Sequence, residues 1–280
     1  MTVQPFSESA IIVAPNGARK TQRDHPNLPL ELPSIIDEAI ACRDAGAAMV
    51  HLHARDKQGR HSLELDDNLP LYRGLKERVG DTLLVQLTTE AVGLYLPEQQ
   101  KALIKAIKPE AASFALRELI PDEQHLTSAS SFFHWVADQG IISQYILYDE
   151  QDLQHYLRWL SRGLLPNYHH HLLLVLGRYR DGQLAHPQDL APMLRSQLFE
   201  LDHRWAVCAF GHFEHNCLTA AMLMGADVRV GFENNHYDNQ GAIAESNAVL
   251  VTQLVDTATA LNIKPMTTEE LKNHLTSAGC

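Results

Sequence analysis

Short runs rich in Val, Ile, Leu and Ala recur along the chain, and the stretches between them carry apolar residues at helical rather than alternating spacing. This rhythm belongs to β/α units and not to a sandwich of short strands. It predicts strands at Ser9–Ala14, Ala47–His53, Leu83–Thr88, Ala111–Leu116, Ile141–Tyr148, Leu172–Leu176, Trp205–Phe210 and Asp227–Gly231. The intervening patterns predict helices at Pro33–Ala45, with Ser34 as cap, and at Pro97–Ile107, Glu150–Arg162, Pro187–Ser196, Glu214–Met224 and Ala242–Leu261. A last short helix is expected at Thr267–Leu275, on the outside or bottom of the fold.

Eight alternating units in 280 residues match an α/β fold of the (β/α)8 TIM-barrel class, which takes about 250 residues. A doubly wound sheet is the rival. It would favour a glycine-rich phosphate turn after an early strand, and the first strand is followed instead by Pro15-Asn16-Gly17-Ala18. Linkers, repeats and low-complexity tracts are absent, so residues 1–280 are expected to form one domain with a short helical extension at about 263–280.

Composition narrows the setting. Hydrophobic residues make up 45% and charged residues 20%, as in an ordinary globular protein. A net charge of −11 argues against nucleic acid or an anionic membrane as the main partner. Cys42, Cys208, Cys217 and Cys280 form no C-x-x-C pair, and Met1–Ala10 lacks the basic and apolar segments of a leader. With no apolar run near 18 residues, the chain reads as a soluble, cytoplasmic protein.

In a barrel, chemistry collects at the C-terminal ends of the strands. The second strand ends Val50-His51-Leu52-His53, and period-two alternation sends both imidazoles to one face. Paired imidazoles form half of a zinc site; the competing reading packs one in the core and leaves the other to cap a loop. The eighth strand ends Arg229-Val230-Gly231-Phe232-Glu233. Strands two and eight both neighbour strand one, so Glu233 can complete a three-ligand site with an open position; otherwise it is a surface carboxylate. Arg229, if turned inward, demands an anionic partner or a substrate.

The stretches Gly46–Asp56 (G-A-A-M-V-H-L-H-A-R-D), Val228–Tyr237 (V-R-V-G-F-E-N-N-H-Y) and Ala244–Val251 (A-E-S-N-A-V-L-V) resemble the β-keto acid cleavage enzymes. Pro15–Ala18, Gln86–Thr89 and Val175–Gly177 fall in matching order, so the resemblance covers nearly the whole chain. It implies a zinc-dependent barrel that exchanges groups between a β-keto acid and acetyl-CoA, giving acetoacetate and a new CoA thioester, with CoA as co-substrate. It also implies a homotetramer. The family's metal ligands map onto His51, His53 and Glu233, its substrate-orienting hydroxyl onto Thr88 or Thr89, and its active-site arginine onto Arg229. Asn16 and Ser113 are further substrate-binding candidates.

The chain also departs from that pattern. The family follows its metal-binding Glu with an Asp that serves as general base, and Asn234 stands here, where an amide can orient substrate but cannot take a proton. Glu90, where the family usually has Gly, and Glu214, where it often has Gln, become the candidates for that proton. Arg19 stands where the 3-keto-5-aminohexanoate type has an acidic residue for the substrate's amine, which points to a keto acid with an anionic distal end. The loop Gly177–Gly182 replaces a glycine-rich stretch at the CoA entrance.

Other residues carry less. His169–His171 precede strand six and so fall at the face away from chemistry; His212 and His215 lie beyond strand seven; Cys208 reads as core; Asp56 is expected to pair with Arg55 or Lys57. Two further functions compete with the transferase. An amidohydrolase-type metallohydrolase also uses H-x-H but adds ligands that strands five and six lack, and Asn234 suggests a member altered to bind a metabolite without turnover.

Overall fold

A computed structural model describes residues 8–168, 170–179, 182, 184–194, 198 and 203–276. Eight parallel strands close on themselves: β1 (Ile11–Val13), β2 (Met49–Leu52), β3 (Leu84–Leu87), β4 (Ala111–Ala115), β5 (Ile142–Leu147), β6 (His170–Leu176), β7 (Arg204–Ala209) and β8 (Asp227–Val230). The last meets the first, with Ile11 opposite Val228 and Val13 opposite Val230. Helices α1 (Leu32–Asp44), α2 (Leu65–Val79), α3 (Pro97–Ile107), α4 (Leu116–Leu119), α5 (Leu126–Asp138), α6 (Glu150–Ser161), α7 (Glu214–Leu223) and α8 (Asn247–Ala260) follow their strands in turn, and α9 (Thr268–Thr276) comes last. The TIM barrel read from the hydrophobic rhythm is the observed fold. No helix among the described residues is long and apolar enough to cross a membrane.

Alternation along each strand divides the apolar side chains between two cores. Val13, Leu52, Val85 and Val228 face outward under the helices, while Ile12, Met49, Leu84, Ile142, Leu173 and Cys208 fill the barrel. The C-terminal helix closes the bottom: Met266, Leu271 and Leu275 join the inner core, and Thr268 Oγ1 donates to the carbonyls of Ala48 (2.9 Å) and Thr82 (3.0 Å). Lys264–Pro265 pairs in parallel with Glu8–Ser9 beside it.

Differences from the sequence reading have local causes. Helix α1 starts at Leu32, and Ser34 sits in its first turn, where its hydroxyl donates to the Glu31 carbonyl and accepts from the Glu31 amide. Pro187–Leu190 forms a 3₁₀ turn where a longer helix was expected, and Pro192 just beyond it has no N–H to continue one. Ala242–Ile243 lies outside α8, because residue 243 pairs back to Tyr237 and Ser246 caps the helix by accepting from Val249 N (3.3 Å). His169, Arg180, Asp181, Ser196 and Cys280 lie outside the described residues.

Strands β6 and β7 begin earlier than predicted, at His170 and Arg204, because both polar residues find partners: His170 Nδ1 lies 2.7 Å from the Tyr156 hydroxyl and Arg204 pairs with buried Asp227. Asp227 is fully buried at the bottom, accepting from Arg204 Nε (3.0 Å) and from Ala10 N (2.8 Å), with His171 Nε2 3.1 Å away. Burial opposes its charge, but His171 and Arg204 hold its carboxyl far below the ordinary range. Arg204→Leu is expected to cost about 3 kcal/mol in urea denaturation, since it leaves a buried carboxylate short of its cation. A depressed carboxyl stabilises the fold above its unfolded value and ceases to as pH falls toward its folded one. Asp227→Asn should therefore lose less stability than the parent between about pH 4 and pH 2.

Candidate metal-centred active site

The two imidazoles of β2 point into the barrel mouth while Leu52 between them packs outward. Opposite, β8 turns sharply at Gly231, whose φ of 137° and contact with β1 exclude a side chain: a Cβ there would lie 2.5 Å from the Ala14 carbonyl oxygen. The turn is fixed by Glu233 N donating to Ala14 O (3.1 Å) and Asn234 N donating to Gly231 O (2.8 Å). It aims Glu233 across β1 toward β2, into space that Gly17 leaves free. A Cβ on Gly17, with φ 60°, would meet Glu233 Cγ at 2.6 Å.

The result is convergence. His51 Nε2 and His53 Nε2 are 3.0 Å apart, and Glu233 Oε2 lies 3.7 Å from the first and 3.2 Å from the second. That oxygen is buried without a hydrogen-bond partner among the described residues, although Oε1 accepts from Arg229 Nη2 at 2.9 Å. Burial lowers His51 to about 4 and His53 to about 3, so both rings are neutral near pH 7, the form that ligates metal. Burial opposes the charge of Glu233, yet Arg229 and the imidazoles hold its carboxyl well below the ordinary range. The Gln86 amide oxygen lies 2.7 Å from His51 Nδ1 and accepts a hydrogen bond from the N–H there, leaving Nε2 its lone pair. Three donor atoms within 4.8 Å of one another, with two imidazoles and one carboxylate, fit a divalent cation such as zinc.

Around this triad a small cavity of about 30 Å³ is lined by Thr88, Glu90, Tyr148, Arg178, Phe210 and Arg229 among others. Thr88 and Thr89 part company here. Thr88 faces the cavity and its hydroxyl accepts from Glu90 N (3.0 Å), whereas the Thr89 hydroxyl donates to the Ser113 carbonyl (2.8 Å). Glu90 accepts from Arg178 Nη2 (3.2 Å) and lies 4.0 Å from His53 Nδ1; burial foremost, then the charge of Glu233, raises it to about 7.

Asn234 is buried beside Arg229, accepting from its Nη2 (3.2 Å). Its amide donates to Glu214 Oε1 at 3.3 Å, and Asn235 Nδ2 and Gly231 N also donate to Glu214. Glu214 therefore stands behind Asn234 and off the cavity wall, and burial raises it to about 8. Asn16 is buried and donates to the His53 carbonyl (2.9 Å), steadying that residue rather than lining the cavity. Ser113 lies on β4 below the wall. Arg19 is largely exposed at the rim, 3.9 Å from Glu90.

Other residues lie away from the site. His215 lies 3.0 Å from the Thr257 hydroxyl on the outer face, and Cys208 is core as its strand pattern predicts, its thiol pushed up by burial to about 11. Asp56 pairs with Arg60 (2.8 Å) instead of Arg55, whose guanidinium is spent on the carbonyls of Gly17 and Gly59. The sequence reading did not single out His61, Tyr148 or Arg178. Their signal is weak because only the fold brings Tyr148 and Arg178 to the cavity and His61 against His53; Arg178 alone had a hint in the altered loop after β6.

Comparison with known proteins gives a consistent result. A family model described as beta-keto acid cleavage enzyme matches residues 9–276. The 3-keto-5-aminohexanoate cleavage enzyme of Acetoanaerobium sticklandii is 27% identical over 85% of this chain and 87% of its own length. The 3,5-dioxohexanoate:acetyl-CoA acetone transferase of Paraburkholderia graminis is 26% identical over 96% of each chain. The 3-oxoadipate:acetyl-CoA acetyltransferase of Cupriavidus necator is 21% identical over 87% of this chain and 86% of its own length. Among solved structures, apo ObcA superposes with a TM-score of 0.71 at 16% identity, over 89% of this chain and 65% of that longer one, a likeness of fold.

The glycine that admits Glu233 offers a direct test of the site's geometry. Gly17→Ala is expected to weaken zinc binding about tenfold or more in chelator competition by displacing Glu233, and to lower apo-protein stability by about 1 kcal/mol for the left-handed alanine with the cost of that displacement added. Unchanged affinity would show that Glu233 does not ligate.

Proposed function

Because the chain belongs to the beta-keto acid cleavage enzyme family, we propose that it runs a zinc-dependent exchange between a β-keto acid and acetyl-CoA, releasing acetoacetate and a new CoA thioester. In that exchange the C2–C3 bond of the keto acid breaks and the C3 acyl group leaves on the CoA sulfur. The carboxymethyl fragment takes the acetyl group that acetyl-CoA gives up. The observation that carries this reading is the meeting of His51 Nε2, His53 Nε2 and Glu233 Oε2 at a small cavity that also presents Thr88 and Arg229.

His51, His53 and Glu233 would hold the ion. When bound, a divalent cation supplies Lewis-acid charge for a ketone oxygen and a developing enolate. The chain's own residues do the rest. Arg229, clamped on Glu233 and Asn234, fixes the carboxylate ligand and adds positive charge to the wall. Thr88 offers a hydroxyl to the substrate carboxylate, and Asn234 orients through its amide. Glu90 takes the role of proton acceptor, supported by its place on the cavity wall, whereas Glu214 is screened by Asn234. Arg19 at the rim and Arg178 on the wall favour a substrate with an anionic distal end.

The homotetramer and the cytoplasmic setting belong to the same proposal, and buried free thiols at Cys42, Cys208 and Cys217 suit a reducing compartment. One second reading has an observation behind it: Asn234 beside Arg229 suits a member that binds a metabolite without turning it over. A hydrolase of the H-x-H type has no further histidine at the ends of β5 and β6, which carry Tyr148 and Gly177.

Zinc-loaded protein incubated with acetyl-CoA and a panel of β-keto acids should yield acetoacetate, fastest with β-keto dicarboxylates; a panel preference for amino-bearing acids would sink the assignment to Arg19. Dialysis against a chelator should abolish turnover and zinc restore it. Glu90→Gln is expected to lower kcat by about 10²–10⁴, with Glu214→Gln staying within about tenfold, as fits a group outside the cavity. A flat result across the panel with full metal occupancy would favour the non-catalytic reading.

A further inference from the structure

His61 lies in the loop after β2, eight residues beyond His53, and is nearly buried. Its Nε2 is 2.7 Å from the Glu90 carbonyl oxygen. A carbonyl only accepts, so this nitrogen carries the ring's proton, and Nδ1 of the neutral ring is left as an acceptor. His61 Nδ1 in turn lies 3.4 Å from His53 Nδ1, which must then donate to it. The proton of His53 is thereby confined to Nδ1, and its Nε2 lone pair is the one that faces His51 and Glu233. The chain of donors is fixed from its far end.

That far end is itself held firmly. Glu90 N donates to Thr88 Oγ1 (3.0 Å), and Ala91 N, on the other side of the same carbonyl, donates to Glu118 Oε2 (2.9 Å). Gln100 Nε2 donates both to Glu118 Oε2 (3.0 Å) and to the Thr89 carbonyl (2.6 Å), so the peptide between Glu90 and Ala91 is tied at each end. Gln86 does the equivalent service for His51 from the neighbouring strand. The two ligands of β2 are thus oriented from two separate elements.

Resting on the metal site proposed above, we infer that His61 is a positioning residue for that site: it selects the metal-ready tautomer of His53 and couples it to the β3 loop that carries Thr88 and Glu90. The coupling makes one wall of the cavity and one metal ligand a single mechanical unit. Displacing the Glu90 carbonyl would release His61, and with it the orientation of His53.

The test uses full-length protein and zinc alone. His61→Phe, which keeps a ring of similar size but neither donates nor accepts, is expected to weaken zinc binding about 10–100-fold in chelator competition and to alter the visible spectrum of the cobalt-substituted protein. His61→Gln, whose amide can accept from His53 and donate to Glu90, should recover most of that affinity. Apo-protein melting is followed in parallel. An affinity unchanged in both variants, or a loss the Gln variant does not relieve although both fold like the parent, overturns the proposal. A parent protein that binds no zinc overturns the metal reading itself, and only that outcome does so.

Discussion

Strand β1 is hydrogen-bonded on both sides, to β2 through the pairing of Ile12 with Met49 and to β8 through Ala14 N on the Val230 carbonyl (2.8 Å). This closure is what brings residues 51, 53 and 233 together. A three-residue strand is enough because its neighbours leave no room for slippage: Gly231 lies against the Ala14 backbone, and Gly17 lies against Glu233. Each contact excludes even a methyl group, so the turn that aims Glu233 and the loop that receives it are fitted to one another. A wider crossing between β1 and β8 would leave the two imidazoles without their carboxylate.

Charge around the site is arranged in layers. Glu233 shares its two oxygens between Arg229 and the imidazoles, and Glu90 is matched by Arg178. Glu214 stands one residue further back with amide donors on both oxygens. An aspartate at position 234 would place a carboxylate 3.3 Å from that of Glu214, and like charges so close cannot both ionise in a buried setting. Asn234 removes the conflict by donating where an acid would repel. The identities at 214 and 234 are therefore physically linked, and the departure from the family pattern at 234 is matched by the carboxylate behind it.

The family model over residues 9–276 establishes the family, and identities of 21–27% to the relatives leave the substrate open. The relatives named above differ by name in the keto acid they act on. Here the wall pairs an acid with a guanidinium at Glu90 and Arg178, over Phe210. A substrate bound in that cavity would meet this pair, contributed by the loops after β3 and β6.

The sequence alone determined the eight-unit barrel, because alternating strand patterns and amphipathic helices are local properties that eight repetitions make unmistakable. It also determined the imidazole pair, since period two fixes that His51 and His53 share a face. The carboxylate was legible through barrel closure, a fold-level rule joining β8 to β1, and through the family resemblance around Glu233. What the chain order could not supply was which of Thr88 and Thr89 faces the cavity, that Glu214 hides behind Asn234, or that His61 and Arg178 reach the site at all. Those placements depend on loop paths and on side chains meeting across distances such as the 88 residues between Glu90 and Arg178. Hydrophobic periodicity specifies which face of an element is buried; only packing decides which polar groups find each other once it is.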